Sequence, residues 1–371
     1  MQSTRRIVGG GCIYLACWGL RRLAPKLQGI FHRSNNSSAT ILGNLVSYKM
    51  AHTCTSPQPC LISPAQVVEN LTYKDLIPAV EQGLGNFSKR NEEGGGGGIY
   101  PQRTMMKIEE HNGHVFVMPV VSSADNIIAT KIVAIFPNNA KNNLSSHMGT
   151  IILNDATTGV PRAVMDAEHI TAMRTAAASA VATKYLARDG WQTLAILGAG
   201  SQAVAHLHAL KHMTTIREVR VWTRSSEKCQ AFAQKFDVKA CETAQEAVTG
   251  ADVIATCTSS HTPVLESSWL KPSAHINCVG ACVPWAQELG VEVMRKAVVY
   301  TDNTPGAYKE SGDIVHSKVT VFAEIGEVIN GTKEAKRDEI TVFKSQGVAV
   351  EDAVAAKLVY DKVSVLKDMK S

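Results

Sequence analysis

Between Thr193 and Ser225 the chain runs apolar, glycine-rich, helical and apolar again, an order that few folds accommodate. Leu194-Ala195-Ile196-Leu197 reads as a short strand entering Gly198-Ala199-Gly200-Ser201-Gln202, and Ala203 to Leu210 follows with small, helix-forming residues. A second apolar stretch, Glu218-Val219-Arg220-Val221-Trp222, ends at Thr223-Arg224-Ser225. Strand, glycine turn, helix and strand in this order open a dinucleotide-binding fold. The glycines let backbone N–H groups approach a pyrophosphate at a helix N-terminus, where unpaired donors and the helix dipole favour an anion. The third small residue is Ala203 rather than glycine, so the turn alone is a weak sign. Its flanking strand and helix favour a dinucleotide site over a purely structural turn.

The end of the second strand should meet the adenine-side ribose. An NAD-selecting fold usually places a carboxylate there, and this chain carries Arg224 and Ser225. The cation favours NADPH, with NADH as the alternative.

A chain of 371 residues with 45% hydrophobic content can bury a full core and has room for two domains. Its formal charge of +5 is concentrated in a leader: no Asp or Glu precedes Glu69, whereas seven Lys or Arg residues do. Without residues 1–68 the chain holds 31 basic and 33 acidic side chains, which gives no support to nucleic-acid binding by the folded part. The leader's apolar run, Ile7 to Leu20, is flanked by arginines and interrupted by Gly9-Gly10-Gly11. It is too short for stable membrane insertion. It reads either as a mitochondrial targeting peptide or as a disordered or spuriously translated extension, with the cytoplasm as the default destination. Nine scattered cysteines, without paired CxxC spacing or a histidine cluster, read as thiols of a reducing compartment and argue against zinc or any other metal site.

Order should begin near Leu61, where Ser63 can cap a helix with Pro64 in its first turn. A second helix runs from Thr72 to about Lys89, before the loop containing Gly94 to Gly98, which reads as flexible surface chain. From Thr104 to Met165 β-rich segments alternate with turns, including the hairpin signal Asp155-Ala156-Thr157-Thr158-Gly159, and predict a meander. Glu168 to Leu186 lacks glycine and proline and predicts a long linking helix. Further strands are expected at Ala251–Thr256, His275–Val279 and Val298–Asp302, and an alanine-rich terminal helix from Ala349 that needs the first domain as host.

Three cations stand out. Lys131 lies within Ile128-Ala129-Thr130-Lys131-Ile132-Val133, where an unpaired buried ammonium would be costly. A pocket function or an internal ion pair is therefore favoured over plain packing. Arg174 sits among small residues of the linking helix, and its natural use is bidentate binding of a carboxylate or phosphate. Arg103 opens a strand after Pro101-Gln102 and is as well read as a solvated edge arginine.

Several segments, taken together and in order, resemble the ornithine cyclodeaminase/mu-crystallin family over roughly residues 61–360: Pro101-Gln102-Arg103-Thr104, Thr130-Lys131, Ser145-Ser146-His147, Ile170 to Ala177, the glycine turn, and Thr341-Val342-Phe343-Lys344-Ser345-Gln346-Gly347 through Asp352. The resemblance implies an α/β protein with a Rossmann-like NAD(P)-binding domain (176–329) and a mixed α+β substrate and dimerisation domain (61–175 and 330–371), with 1–60 as an extension. It implies a homodimer, and Arg103, Lys131 and Arg174 around a substrate carboxylate and the reacting centre, with Cys282 and Trp285 on the substrate side. Lys131 and Arg174 are the expected catalytic pair. Gly198, Ala199, Gly200, Ser201 and Gln202 would hold the pyrophosphate, and Thr223, Arg224, Ser225 and Lys228 the 2′-phosphate end. Ser146, His147, Arg174, Thr256, Cys257, Thr258, Val279, Gly280, Ser345 and Gly347 would complete the cofactor site.

Two departures shape the expected activity. The family's cyclodeaminases carry an aspartate just after the glycine equivalent to Gly280, where this chain has Ala281. That favours NADPH-dependent reduction of a preformed C=N bond in a cyclic ketimine carboxylate over ornithine or lysine cyclodeamination with NAD. Trp285 stands where the ketimine-reducing members have an aspartate, so the width of the substrate site and thyroid-hormone binding stay open, as does a non-enzymatic hormone-binding or crystallin role.

Overall fold

A computed structural model describes residues 58–92 and 98–368. The leader and Gly94–Gly97 of the glycine loop lie outside the described residues. Strand β1 (Cys60–Ile62) leads into helix α1 (Pro64–Asn70). The Ser63 hydroxyl accepts from Gln66 N and the Gln66 side chain accepts from Ser63 N, a reciprocal cap, with Pro64 where a missing N–H costs nothing. Helix α2 is Tyr73–Ser88.

The first sheet then forms from β2 (Gly98–Ile99), β3 (Thr104–Ile108), β4 (Gly113–Ser122), β5 (Ile127–Ile135), β6 (His147–Asp155) and β7 (Pro161–Asp166). Strands β3 to β7 are the expected antiparallel meander, and β1 adds in parallel to β7. At the β6–β7 turn Asp155 Oδ1 accepts from Thr157 N (2.9 Å) and Thr158 N (2.8 Å), and Gly159 takes a positive φ of 74°. Strand periodicity decides where Lys131 goes. Ile127, Ala129 and Lys131 alternate onto the buried face of β5, whereas Ile132 faces outward.

Helix α3 spans Glu168–Leu186 and is buried almost continuously from Met173 to Thr183. It packs on α2 and β6, and the run of alanines from Ala176 to Ala178 permits close approach. Beyond it come β8 (Thr193–Leu197), α4 (Ser201–Met213), β9 (Glu218–Trp222), α5 (Ser226–Phe236), β10 (Lys239–Ala240), α6 (Ala244–Val248), β11 (Val253–Thr256) and β12 (His275–Cys278). Then follow α7 (Val291–Lys296), β13 (Val298–Thr301), α8 (Thr304–Glu310), α9 (Gly312–Ser317), β14 (Ala323–Glu324), α10 (Ile325–Ile329), β15 (Thr341–Lys344) and α11 (Ala349–Asp368). The second sheet is all parallel in the order β10-β9-β8-β11-β12-β15-β13-β14. From β8 the chain steps outward through β9 and β10, then crosses back to β11 and β12. The reversal lies between β8 and β11, the place where a doubly wound sheet opens a crevice for a dinucleotide.

One assignment from the sequence is corrected. Residues 341–344, grouped there with the first domain, enter the second sheet between β12 and β13. Thr341, Val342 and Phe343 are buried on both sides, as a central parallel strand requires. Only α11 returns to the first sheet, lying on α1, α2, β4, β5 and β6. Among the described residues no helix is long and apolar enough to cross a membrane.

Candidate active site

Parallel pairing brings the strand ends into line. Trp222, Leu197, Thr256, Cys278, Lys344 and Thr301 are successive register partners across β9, β8, β11, β12, β15 and β13. The residues that follow each strand therefore share one edge: Thr223-Arg224-Ser225, Gly198 to Gln202, Cys257-Thr258, Val279-Gly280 and Ser345-Gln346-Gly347.

At the turn after β8, Gly198 has a φ of 125°, and a Cβ there would lie 2.5 Å from the Cys257 carbonyl oxygen. No larger residue fits between the ends of β8 and β11. Gly200 opens α4 without a side-chain cap, so no cap residue satisfies the first-turn N–H groups, and a Cβ built on it meets no atom within 4 Å. Gln202 Oε1 is buried without a hydrogen-bond partner. At the neighbouring strand end Arg224 and Lys228 are exposed, and Ser225 Oγ caps α5 by accepting from Lys228 N at 3.3 Å. An uncapped helix start, an orphaned polar atom and exposed cations at the crevice fit a dinucleotide phosphate chain.

A buried carboxylate absent from the sequence-predicted set braces this edge. Glu288 Oε1 accepts from Thr258 N (2.6 Å) and Thr258 Oγ1 (2.7 Å), and its Oε2 accepts from Gly280 N (2.6 Å) and Thr256 Oγ1 (2.9 Å). It thereby ties the loops after β11 and β12 together. Burial raises its carboxyl above the usual range, against the pull of nearby Lys344. Asp302 does the same after β15, accepting from Gln346 N and Gly347 N at 2.7 Å each and from Ser345 Oγ at 3.2 Å.

The three cations converge on the corner between β15 and α11. Lys131 is 2% exposed, with Nζ 2.8 Å from Asp352 Oδ1 and 2.7 Å from Oδ2. Arg174 donates Nε to Asp352 Oδ1 (3.1 Å) and Nη1 to Glu351 Oε2 (2.7 Å). Its guanidinium is thus held by two carboxylates of this chain. It also lies against Gly347, where a Cβ would come 2.3 Å from Nη1. Arg103 donates to the carbonyls of Gln346 (3.2 Å) and Cys282 (3.3 Å), pairs with Glu310, and has its carbon 5.2 Å from the Phe116 ring centre. It is a cleft residue rather than a solvated edge arginine.

Burial pushes Lys131 down to about 8, Arg174 adds to that, and Asp352 opposes it. Glu351 is pushed up to about 7 by the same burial, with Arg174 opposing. Glu351 and Asp352 close the 341–352 segment that carries the family resemblance, and their pairing with the cations emerges only in the fold. Two adjacent carboxylates opening an otherwise alanine- and valine-rich helix were the available signal, since a buried Lys131 needs an anion.

An open cleft of about 480 Å³ lies beside this corner, lined by Arg103, Met118, Glu310, Gln346 and Gly347 among others. Cys282 and Trp285 extend from the second sheet toward the first. The Cys282 carbonyl accepts from Arg103, and the half-exposed Trp285 ring sits 5.9 Å from that of His114 on β4. Ser146 and His147 are the outliers. Ser146 Oγ and His147 Nδ1 lie 3.0 Å apart at the start of β6, and no hydrogen bond among the described residues joins them to the strand-end edge.

A family model described as "Ornithine cyclodeaminase/mu-crystallin family" matches residues 58–367. Ketimine reductase mu-crystallin of Rattus norvegicus is 45% identical over 309 residues, covering 82% of this chain and 98% of that protein. Among solved structures, Delta(1)-pyrroline-2-carboxylate reductase of Thermococcus litoralis, in complex with NADH and L-proline, superposes with a TM-score of 0.78 at 34% identity. It covers 83% of this chain and 98% of its own. An archaeal alanine dehydrogenase dimer with bound NAD gives 0.77 at 30% identity, covering 83% and 97%.

Proposed function

We propose that this chain, which belongs to the ornithine cyclodeaminase/mu-crystallin family, reduces cyclic ketimine carboxylates to saturated cyclic amino acids with NADPH. It is an NAD(P)-dependent oxidoreductase acting on a C=N type of substrate. The finer reading rests on one observation: Arg103, Lys131 and Arg174, from three separate segments, meet at residues 346–352, directly after a strand that ends on the cofactor edge.

The nicotinamide, when bound, supplies the hydride that adds to the ketimine carbon. Arg103 and Arg174 hold the neighbouring carboxylate and present one face of the planar C=N group, which removes the entropy of a free encounter. Lys131, placed beside the reacting nitrogen, acts as the acid: it gives its proton to the ketimine nitrogen, and the resulting iminium, more electrophilic than the neutral imine, takes the hydride to give the amine. Glu351 and Asp352 keep both cations charged in a nearly dry site. Arg224 favours NADPH by binding the 2′-phosphate, and Ala281, in place of an acid, favours reduction over cyclodeamination.

A dimer through the outer face of the first sheet completes the reading. Met106, Val115, Ala134 and Met148 are register partners in one row across β3, β4, β5 and β6, and Val117 and Ile132 stand in the next. Met106, Ile132 and Met148 are exposed, an apolar face suited to a second copy.

The decisive experiment follows NADPH oxidation with five- and six-membered cyclic ketimine carboxylates, alongside fluorescence titrations of NADPH, NADH and thyroid hormone. Turnover with NADPH preferred over NADH is the expected result. Cofactor binding without any ketimine turnover would overturn the reading and leave a binding protein.

A further inference from the structure

Gln346 stands between two residues already placed at the site, and its side chain is the anomaly of the cleft. It is 5% exposed, yet neither Oε1 nor Nε2 has a hydrogen-bond partner among the described residues. Its backbone is fully used: the N–H donates to Asp302 Oδ2 at 2.7 Å and the carbonyl accepts from Arg103 Nη1 at 3.2 Å. The backbone of residue 346 is thus anchored on both sides, and the residue lines the cleft with both side-chain polar atoms unpaired. Arg103 Nε, beside it, is likewise buried and unpaired, whereas the two Nη atoms of Arg103 are engaged by Gln346, Cys282 and Glu310.

Buried amides without partners destabilise the free protein, and an apolar side chain of the same size would avoid that cost. Among the buried side-chain atoms of the described residues, those left without a partner at the cleft are two donor atoms, Arg103 Nε and Gln346 Nε2, and one acceptor, Gln346 Oε1. Their complement is two acceptor atoms beside one donor. A carboxylate next to a protonated imine nitrogen has that pattern, and the neutral imine lacks the donor.

We propose that Gln346 is a substrate-recognition residue for the protonated α-imino carboxylate, donating through Nε2 to the carboxylate and accepting through Oε1 from the iminium N–H. This rests on the ketimine-reductase reading and adds a residue to it. Because the acceptor engages only the protonated nitrogen, the contact favours the form that takes hydride most readily.

The test compares wild type with Gln346→Met, which keeps length and removes both polar atoms, and Gln346→Glu, which keeps an acceptor and adds a negative charge. With Gln346→Met, kcat/KM for a cyclic ketimine carboxylate should fall about ten- to a hundredfold while the NADPH dissociation constant stays unchanged. The melting temperature of the ligand-free protein should hold or rise. Gln346→Glu should lose more, chiefly through KM, by repelling the carboxylate. Undiminished kcat/KM in Gln346→Met overturns the inference while leaving the ketimine reading intact. A lowered melting temperature with parallel losses in NADPH binding overturns it in favour of a structural amide. A wild-type protein inert toward every cyclic ketimine overturns the parent reading and this inference together.

Discussion

Lys131 and Arg174 donate to the same oxygen. Asp352 Oδ1 lies 2.8 Å from Lys131 Nζ and 3.1 Å from Arg174 Nε, and Glu351 takes the second arm of the guanidinium at 2.7 Å. Two cations and two carboxylates cancel in a space almost without solvent. The acids come from the first turn of α11, where the helix dipole also favours them. The terminal helix thus sets the position of groups contributed by β5 and α3.

Asp352→Asn removes the shared anion and leaves two buried positive charges with one carboxylate. Breaking a buried pair by deleting one partner costs about 3–5 kcal/mol. Urea denaturation of the variant should show that loss, and ketimine turnover should fall with it. Unchanged stability would mean that water or another group compensates both cations.

The depressed Lys131 sets a pH dependence with two opposite signs. Its proton-bearing form prevails below about 8, so kcat/KM for the ketimine should decline as pH rises through that value. Stability moves the other way. Between about 8 in the fold and the ordinary 10.5, unfolded Lys131 binds more protons than folded Lys131, so this group's contribution to stability grows with pH across that window. Lys131→Arg, which keeps its charge throughout, should abolish the alkaline decline in whatever activity remains. If the decline persists unchanged in that variant, the titrating group is another.

Arg224→Ala should weaken NADPH by about ten- to a hundredfold, the worth of a charge-assisted phosphate contact, and leave NADH nearly unaffected. Fluorescence titration with both cofactors measures the difference. Equal losses would assign Arg224 to a general role at the edge rather than to the 2′-phosphate.

Charging the outer face of the first sheet tests the dimer. Ile132→Lys combined with Met148→Lys places two ammonium groups in adjacent rows of the exposed apolar face. Sedimentation velocity should show a dimer for the wild type and a monomer for the double variant, with the melting transition still cooperative. A double variant that remains dimeric would move the interface elsewhere.

Local chemistry made much of the architecture legible. The Ser63 cap with Pro64, the Asp155–Gly159 turn, the bounds of α3 and the Gly198–Gly200 turn each depend on neighbours in sequence, and each appears in the structure. The cations were visible because Lys131 interrupts an apolar strand. Their partners were not, since Asp352 is separated from Lys131 by 221 residues and from Arg174 by 178, and nothing local specifies that pairing. The same distance hid β15, whose four residues reveal their place only when β12 and β13 are seen on either side. Glu288 gives no local sign of its role, because its partners, Thr258 and Gly280, belong to two other strand ends.

Gly347 offers the most local test of the cation cluster. Its φ of 75° is strained for any side chain, and a Cβ would lie 2.3 Å from Arg174 Nη1, 2.8 Å from Nη2 and 3.0 Å from the guanidinium carbon. Gly347→Ala therefore imposes a left-handed backbone penalty of about 1–2 kcal/mol and forces either the guanidinium or the 346–348 backbone to move. The guanidinium is held by Glu351 and Asp352, and the backbone by two bonds to Asp302, so neither moves freely. If the guanidinium gives way, KM for the ketimine should rise at least tenfold while NADPH affinity, set mainly at the β8 and β9 ends, changes little. If the backbone gives way instead, the loop after β15 shifts at the cofactor edge and NADPH affinity falls as well. Unaltered KM and NADPH affinity, with only the stability loss, would show that Arg174 can leave its present position without consequence and would remove it from the substrate site.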